Sequence, residues 1–266
     1  MNATNNHRYP LLLLVWATLL IVACSDESDP QPVEEEPIIE EPIVEEPGTE
    51  EPSEDLFYTL IRVENLATDE SINLEDTSPT VPRQAIYFSL EDSTVKDDSF
   101  AKTNRWDLSF SSLYNSFLGS NNGSDPENLG YGANGIGGIL ILEQNFDDVT
   151  EVPADDQFLT GGARIGTDPS GAFGEVGLGT GWYLYDFSGT IMGDGSYEKQ
   201  HVAYTLQNTR TIVIRTARGN YAKLRMISCY KDAFSPEQWF RDTPHMYFTF
   251  EYVLVPAGSA KFEIKP

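Results

Sequence analysis

The sequence predicts an all-β fold, with one antiparallel domain over residues 56–266. Two observations carry this. From residue 57 onward short apolar runs alternate or run continuously between clusters of Gly, Asn, Asp and Pro, and no stretch carries a helical stripe. A third agrees with them: aromatic residues make up 12% of the 266 residues, with 21 Gly and 16 Pro, which is richer in rings and turns than a helical bundle. About 210 residues are enough to bury one sizeable core, and no break in composition divides them.

The chain starts differently. After His7 and Arg8, the segment Leu11 to Ala23 is almost free of polar residues, but at about 13 residues it is shorter than the roughly 20 that cross a bilayer. It reads as the core of a signal peptide spanning residues 1–23. Its end, Ile21-Val22-Ala23-Cys24, resembles the lipobox of bacterial lipoproteins, in which the thiol receives a diacylglycerol before cleavage. Cys24 is therefore the expected lipidation site. Several acyl chains at about 0.8 kcal/mol per buried methylene would anchor the mature chain to a membrane essentially permanently. The acidic Ser25-Asp26-Glu27-Ser28-Asp29 resembles the export signal that takes Bacteroidetes lipoproteins to the outer face of the outer membrane.

Residues 24–55 are expected to form a linker. Pro37, Pro42, Pro47 and Pro52 recur every five residues among Glu pairs, which forbids a helix and extends the chain by like-charge repulsion. This stretch holds fourteen acidic residues and no basic ones, leaving 28 acidic against 16 basic in the domain. The whole chain has a formal charge of −25, which repels polyanions and excludes a nucleic-acid binder that works by attracting phosphates.

Within the domain, strands are expected at Ala85–Leu90, Arg105–Ser111, Ser116–Leu118, Gly138–Glu143, Trp182–Phe187, Val202–Leu206, Arg210–Thr216, Tyr221–Cys229 and Met246–Leu254. Ala217-Arg218-Gly219-Asn220 joins two of them, and its Gly-Asn pair is expected to supply the positive φ angles of a tight hairpin. In the last strand Phe248, Phe250, Tyr252 and Leu254 share one face, and Tyr247, Thr249, Glu251 and Val253 the other. Two glycine-rich stretches, Gly119–Gly137 and Pro153–Gly181, lack strand signal; long loops of this kind are candidate walls of a binding site.

Taken in order, Ala85-Ile-Tyr-Phe-Ser-Leu90, Arg105-Trp-Asp-Leu-Ser-Phe110, Gly181-Trp-Tyr-Leu-Tyr185, Ile214-Arg-Thr-Ala-Arg-Gly-Asn-Tyr-Ala-Lys-Leu224 and Tyr247-Phe-Thr-Phe-Glu-Tyr252 resemble the successive signatures of the HmuY family. The resemblance runs from about residue 57 to 255. It implies an all-β, non-catalytic surface lipoprotein that captures haem, from solution or from a haem-carrying host protein, for an outer-membrane TonB-dependent receptor. It also implies axial iron ligands, two histidines in the best-known case and methionines in some relatives.

After processing, the histidines are His201 and His245, and the methionines Met192, Met226 and Met246. His201 and Met192 lie between the Trp-Tyr and Arg-Thr-Ala blocks, where the family tends to place one ligand, and are the first candidates for holding haem iron. Met226 and Met246 sit in strand patterns, where methionine usually fills gaps. The family's other ligand belongs roughly 30 residues earlier, yet Glu151 to Thr180 contains no His, Met, Cys or Tyr. Tyr114 and Tyr131 in earlier segments and His245 before the last strand are the remaining candidates. Phe158, Phe173 and Leu178 are candidate pocket walls, and Arg164 and Lys199 candidate cations for the propionates.

Other constellations are weaker. Asp155-Asp156, Asp168 and Asp194 lack the regular spacing of a calcium loop. Asp242, His245 and Ser188 or Ser235 could be paired as a nucleophile set, but no Gly-x-Ser-x-Gly elbow is present, so no enzyme is expected. Cys229 reads as a small core residue, and Trp106-Asp107 as a core tryptophan with a capping carboxylate. The competing functional reading is an adhesive, assembly or glycan-binding surface lipoprotein on the same scaffold without haem; the missing second ligand favours it.

Overall fold

The structure, a computed structural model, describes residues 56–67 and 84–265. The expected signal peptide (1–23), Cys24 and the acidic linker (24–55) lie outside the described residues. The described part is all-β, with eleven strands paired antiparallel and helix confined to three-residue 3₁₀ turns.

One sheet has five strands: β1 (Leu60–Leu66), β11 (His245–Val255), β10 (Tyr221–Tyr230), β9 (Thr211–Arg215) and β6 (Gly138–Leu142), in that spatial order. A second sheet orders β3 (Thr94–Lys96), β2 (Ile86–Ser89), β4 (Leu108–Ser111) and β5 (Phe117–Ser120). β7 (Tyr183–Asp186) and β8 (Val202–Thr205) form a separate two-stranded ladder. The alternation expected in β11 sets the core. Phe248, Phe250, Tyr252 and Leu254 are buried against the second sheet, with Phe110 stacked on Phe248 at 4.6 Å and Phe88 edge-on to Phe250 at 5.4 Å. The other face of the same sheet buries Val213, Val253 and Val255 in a smaller core with Phe146 and Phe262.

β1 and β3 were not expected from the sequence. β1 is an edge strand whose register is marked by charge: Arg62 and Arg225 both stand opposite Glu251, at 2.9 and 2.7 Å. β3 has only three residues and exposes Val95, so it offers no buried stripe. β4 begins at Leu108, three residues later than expected, because Trp106 and Asp107 turn inward. The Trp106 indole is fully buried beside Tyr87, and the Asp107 carboxylate accepts hydrogen bonds from the backbone N–H groups of Leu90 (2.8 Å) and Ala217 (2.9 Å).

The hairpin between β9 and β10 forms with the expected register, Tyr221 opposite Arg215. Only Gly219 takes a positive φ there, +95°. Asn220 instead uses its side chain, donating to Glu91 Oε1 at 2.7 Å and accepting from the Ala257 N–H at 2.9 Å. Because a Cβ disfavours that φ, Gly219→Ala should lower stability by about 1 kcal/mol, read as a lower urea midpoint; an unchanged midpoint would refute the turn assignment.

Candidate functional site

A cavity of about 530 Å³ opens where five chain segments meet: the turn between β4 and β5, the loop before β7, the β7–β8 ladder, the end of β10, and the approach to β11. Its wall is largely aromatic, and its volume lies within the usual range of small-molecule sites, roughly 300 to 1,000 Å³. Trp182, Tyr183, Tyr230 and Phe248 are buried parts of the wall, while Phe173 and Phe187 are exposed and meet edge-on at 5.3 Å.

Four of the lining side chains sit on strained backbone. Tyr114, Phe173, His201 and Met246 have φ of 54°, 59°, 61° and 68°, a region L-residues seldom occupy and which costs roughly 1–2 kcal/mol per residue. They come from four different segments, so the surrounding fold has to hold each of them in place. Met246 can take this conformation because the β10–β11 pairing is irregular beside it, between Ser228 and Tyr230. Of the eleven non-glycine residues with positive φ among the described residues, these four share one cavity wall, and such strain is found at functional sites.

His201 immediately precedes β8. Its Nδ1 is 2.7 Å from the Tyr185 hydroxyl, and its ring packs edge-on against Phe187 at 4.6 Å. Burial, with the Arg241 guanidinium adding to it, holds the imidazole below its ordinary pKa, so it is neutral at pH 7. Burial pushes the Tyr185 phenol up to about 12, with Tyr114 contributing, so it remains an O–H. In the tautomer with the proton on Nδ1, His201 donates to the Tyr185 oxygen and its Nε2 carries an open lone pair. Arg241 also lines the cavity, with its guanidinium over the Tyr197 ring at 4.5 Å.

The sequence candidates are distributed as follows. His201, Tyr114, His245 and Phe173 line the cavity, and so does Met246, which the strand pattern had suggested was only filler. Met192 does not: it is 54% exposed on the loop after β7. That loop is turned outward by Asp186, whose buried carboxylate accepts from the N–H groups of Thr190, Ile191, Met192 and Gly193. Burial alone would raise the Asp186 carboxyl, but these donors outweigh it and keep it low. Tyr131 is half-exposed and lies outside the cavity lining, and Leu178 is 62% exposed. Phe158 belongs to the smaller core, against Tyr221 at 6.1 Å.

Arg164 pairs with Glu127 at 2.6 Å, and Lys199 donates to the carbonyls of Pro236 and Trp239; neither lines the cavity, where the cation is Arg241. Arg241 and Tyr185 escaped sequence reasoning, although alternation does put Tyr185 on the same face of β7 as Tyr183. Of the long loops, Pro153–Gly181 contributes Thr167, Phe173 and Val176 to the wall, a hydroxyl and apolar groups. Gly119–Gly137 instead lines a separate cavity of about 390 Å³ with Arg215.

The other constellations do not assemble. Ser188 bonds Thr190, and Ser235 caps a turn with Gln238, both away from the cavity that Asp242 and His245 line. Asp155 pairs with Arg215, Asp168 with Arg210, and Asp194 accepts from the Ser196 N–H. Among the described residues no group of three or more His, Cys, Asp or Glu is arranged to hold a metal ion. Cys229 is buried in the cavity wall, and burial pushes its thiol up to about 12, so it is not a thiolate.

No curated protein matches the chain. Among solved structures it is similar to apo PinO from Porphyromonas gingivitis, with 13% identity and a TM-score of 0.33, over 75% of this chain and 99% of that one. The family model described as HmuY protein matches residues 83–252, a span that includes every segment lining the cavity. The chain therefore belongs to the HmuY family.

Proposed function

We propose that the protein binds haem without catalysing a reaction and holds it at the outer-membrane surface for uptake. The observation that carries this reading is the aromatic cavity of about 530 Å³ with the neutral His201 imidazole in its wall. A porphyrin has two broad apolar faces, which such rings cover, and two carboxylates, for which Arg241 supplies a cation. Haem iron accepts His, Met and Tyr donors, and His201, His245, Met246 and Tyr114 all line the cavity, so the donor set fits the group. Haem is cargo here: it would bring its own iron, and the chain's residues would bind it, orient it and exclude water.

The anchoring half of the reading rests on Ile21-Val22-Ala23-Cys24, with Cys24 acylated and the acidic linker holding the domain off the lipid. Its partners are haem or a haem-carrying host protein, and an outer-membrane TonB-dependent receptor. Absorbance titration of the full chain in detergent with hemin, with detergent alone as blank, tests the core of it. A sharpened, shifted Soret band saturating near one equivalent is expected. The spectrum of hemin in detergent, unchanged by protein, would overturn the reading in favour of an adhesive or glycan-binding role.

A further inference from the structure

The four tyrosines lining the cavity differ in one respect. Tyr183 is hydrogen-bonded to Ser116 Oγ at 2.8 Å, Tyr185 to His201 at 2.7 Å, and Tyr230 accepts from the Ala203 N–H at 2.8 Å. The Tyr114 hydroxyl has no hydrogen-bond partner among the described residues. This hydroxyl is open to the cavity, on a side chain held at φ 54° inside a tight turn, so it is a donor group kept available to an occupant. Its ring lies against His245, with centroids 5.8 Å apart. Tyr114 belongs to the turn between β4 and β5, and His245 opens β11, so neither shares an element with His201.

Resting on the haem reading above, we propose that Tyr114 is a second ligand to the iron, giving the site a preference for ferric haem. An anionic phenolate is a hard ligand that stabilises Fe(III) over Fe(II), whereas a neutral imidazole discriminates less. On binding, an Fe–O bond forms as the phenol O–H breaks. The proton is released to the solvent, the water or chloride on hemin leaves, and the iron stays ferric. This supplies the donor that Glu151 to Thr180 lacks, and from a segment where a histidine or methionine pattern would not be sought.

The test uses the full chain in detergent with ferric hemin, dithionite-reduced hemin and iron-free protoporphyrin. The wild type should show a visible phenolate-to-iron charge-transfer band, tyrosinate modes in resonance Raman spectra, and at least about tenfold tighter binding of ferric than of ferrous haem. Tyr114→Phe should lose the band and weaken ferric binding about tenfold while leaving iron-free protoporphyrin unaffected. A wild-type complex with a shifted Soret band but no tyrosinate modes would overturn the proposal and leave the haem reading standing, a result that does not depend on how the variant folds. Equal ferric and ferrous affinity would also overturn it. If neither hemin nor iron-free protoporphyrin binds, the haem reading itself falls.

Discussion

His201→Ala should lower hemin affinity by about a hundredfold or more. The side chain combines features no other cavity residue combines: a neutral imidazole, an Nδ1 already engaged by Tyr185, and a ring fixed against Phe187. Loss of an outer hydrogen-bond partner to a metal-bound histidine typically costs 10- to 100-fold, and loss of the histidine should cost at least the upper end of that range. Tyr185→Phe, which releases the ring but keeps the aromatic wall, belongs at the lower end. Met192→Ala is the matched comparison from the same stretch of sequence; with its side chain outside the cavity lining, it should bind hemin like the wild type. Titrations of the three variants side by side check this. A His201→Ala protein that keeps wild-type affinity, or a Met192→Ala protein that loses it, would remove His201 from the site.

The second large effect concerns stability. Asp107 is fully buried, and burial together with the nearby Glu91 carboxylate pushes its carboxyl up to about 7, against the N–H groups of Ala217 and Leu90 that favour the ionised form. A folded-state pKa above the unfolded value of 3.8 means the native protein binds the extra proton. The stabilisation is complete below about pH 4 and is lost as pH rises to about 7. At 1.36 kcal/mol per pKa unit the loss is on the order of 4 kcal/mol. The carboxyls held low, among them Asp168, Asp186 and Glu251, act in the opposite sense, but only as pH falls through the range below their ordinary values. His201, also held low, opposes the trend as pH falls through the range below its ordinary value. Urea unfolding between pH 4.5 and 7.5 should therefore show falling stability. Glu91→Gln keeps an oxygen for Thr216 and Asn220 while removing the charge next to Asp107, and should flatten the slope. A wild-type curve that is level or rising across this window would contradict the argument.

The β architecture was legible because burial imposes a period on strands that lie against a core. The Phe248-Phe250-Tyr252 face could be read directly, whereas β1 and β3 expose too much of themselves to leave such a record. The cavity was legible only in part. His201 stood out because histidines are scarce, but Arg241 and Met246 reach it only because the approach to β11 lines the same cavity as the β7–β8 ladder. Their shared place in the cavity wall is a long-range arrangement with no local spacing to reveal it. Met192 shows the converse. It is close to His201 in sequence, yet one buried carboxylate, Asp186, gathers the backbone of Thr190 to Gly193 into a closed loop that carries the side chain outward. Phe158 read as a cavity wall because an aromatic residue in a glycine-rich stretch looks the same whether it lines a cleft or fills a core.

The four left-handed side chains around the cavity have a consequence for how this protein can change over generations. Glycine at any of these positions would relax the backbone, so selection for thermal robustness alone would erode the binding surface before it touched the sheets. The shape of the cleft can persist only where an occupant repeatedly favours it.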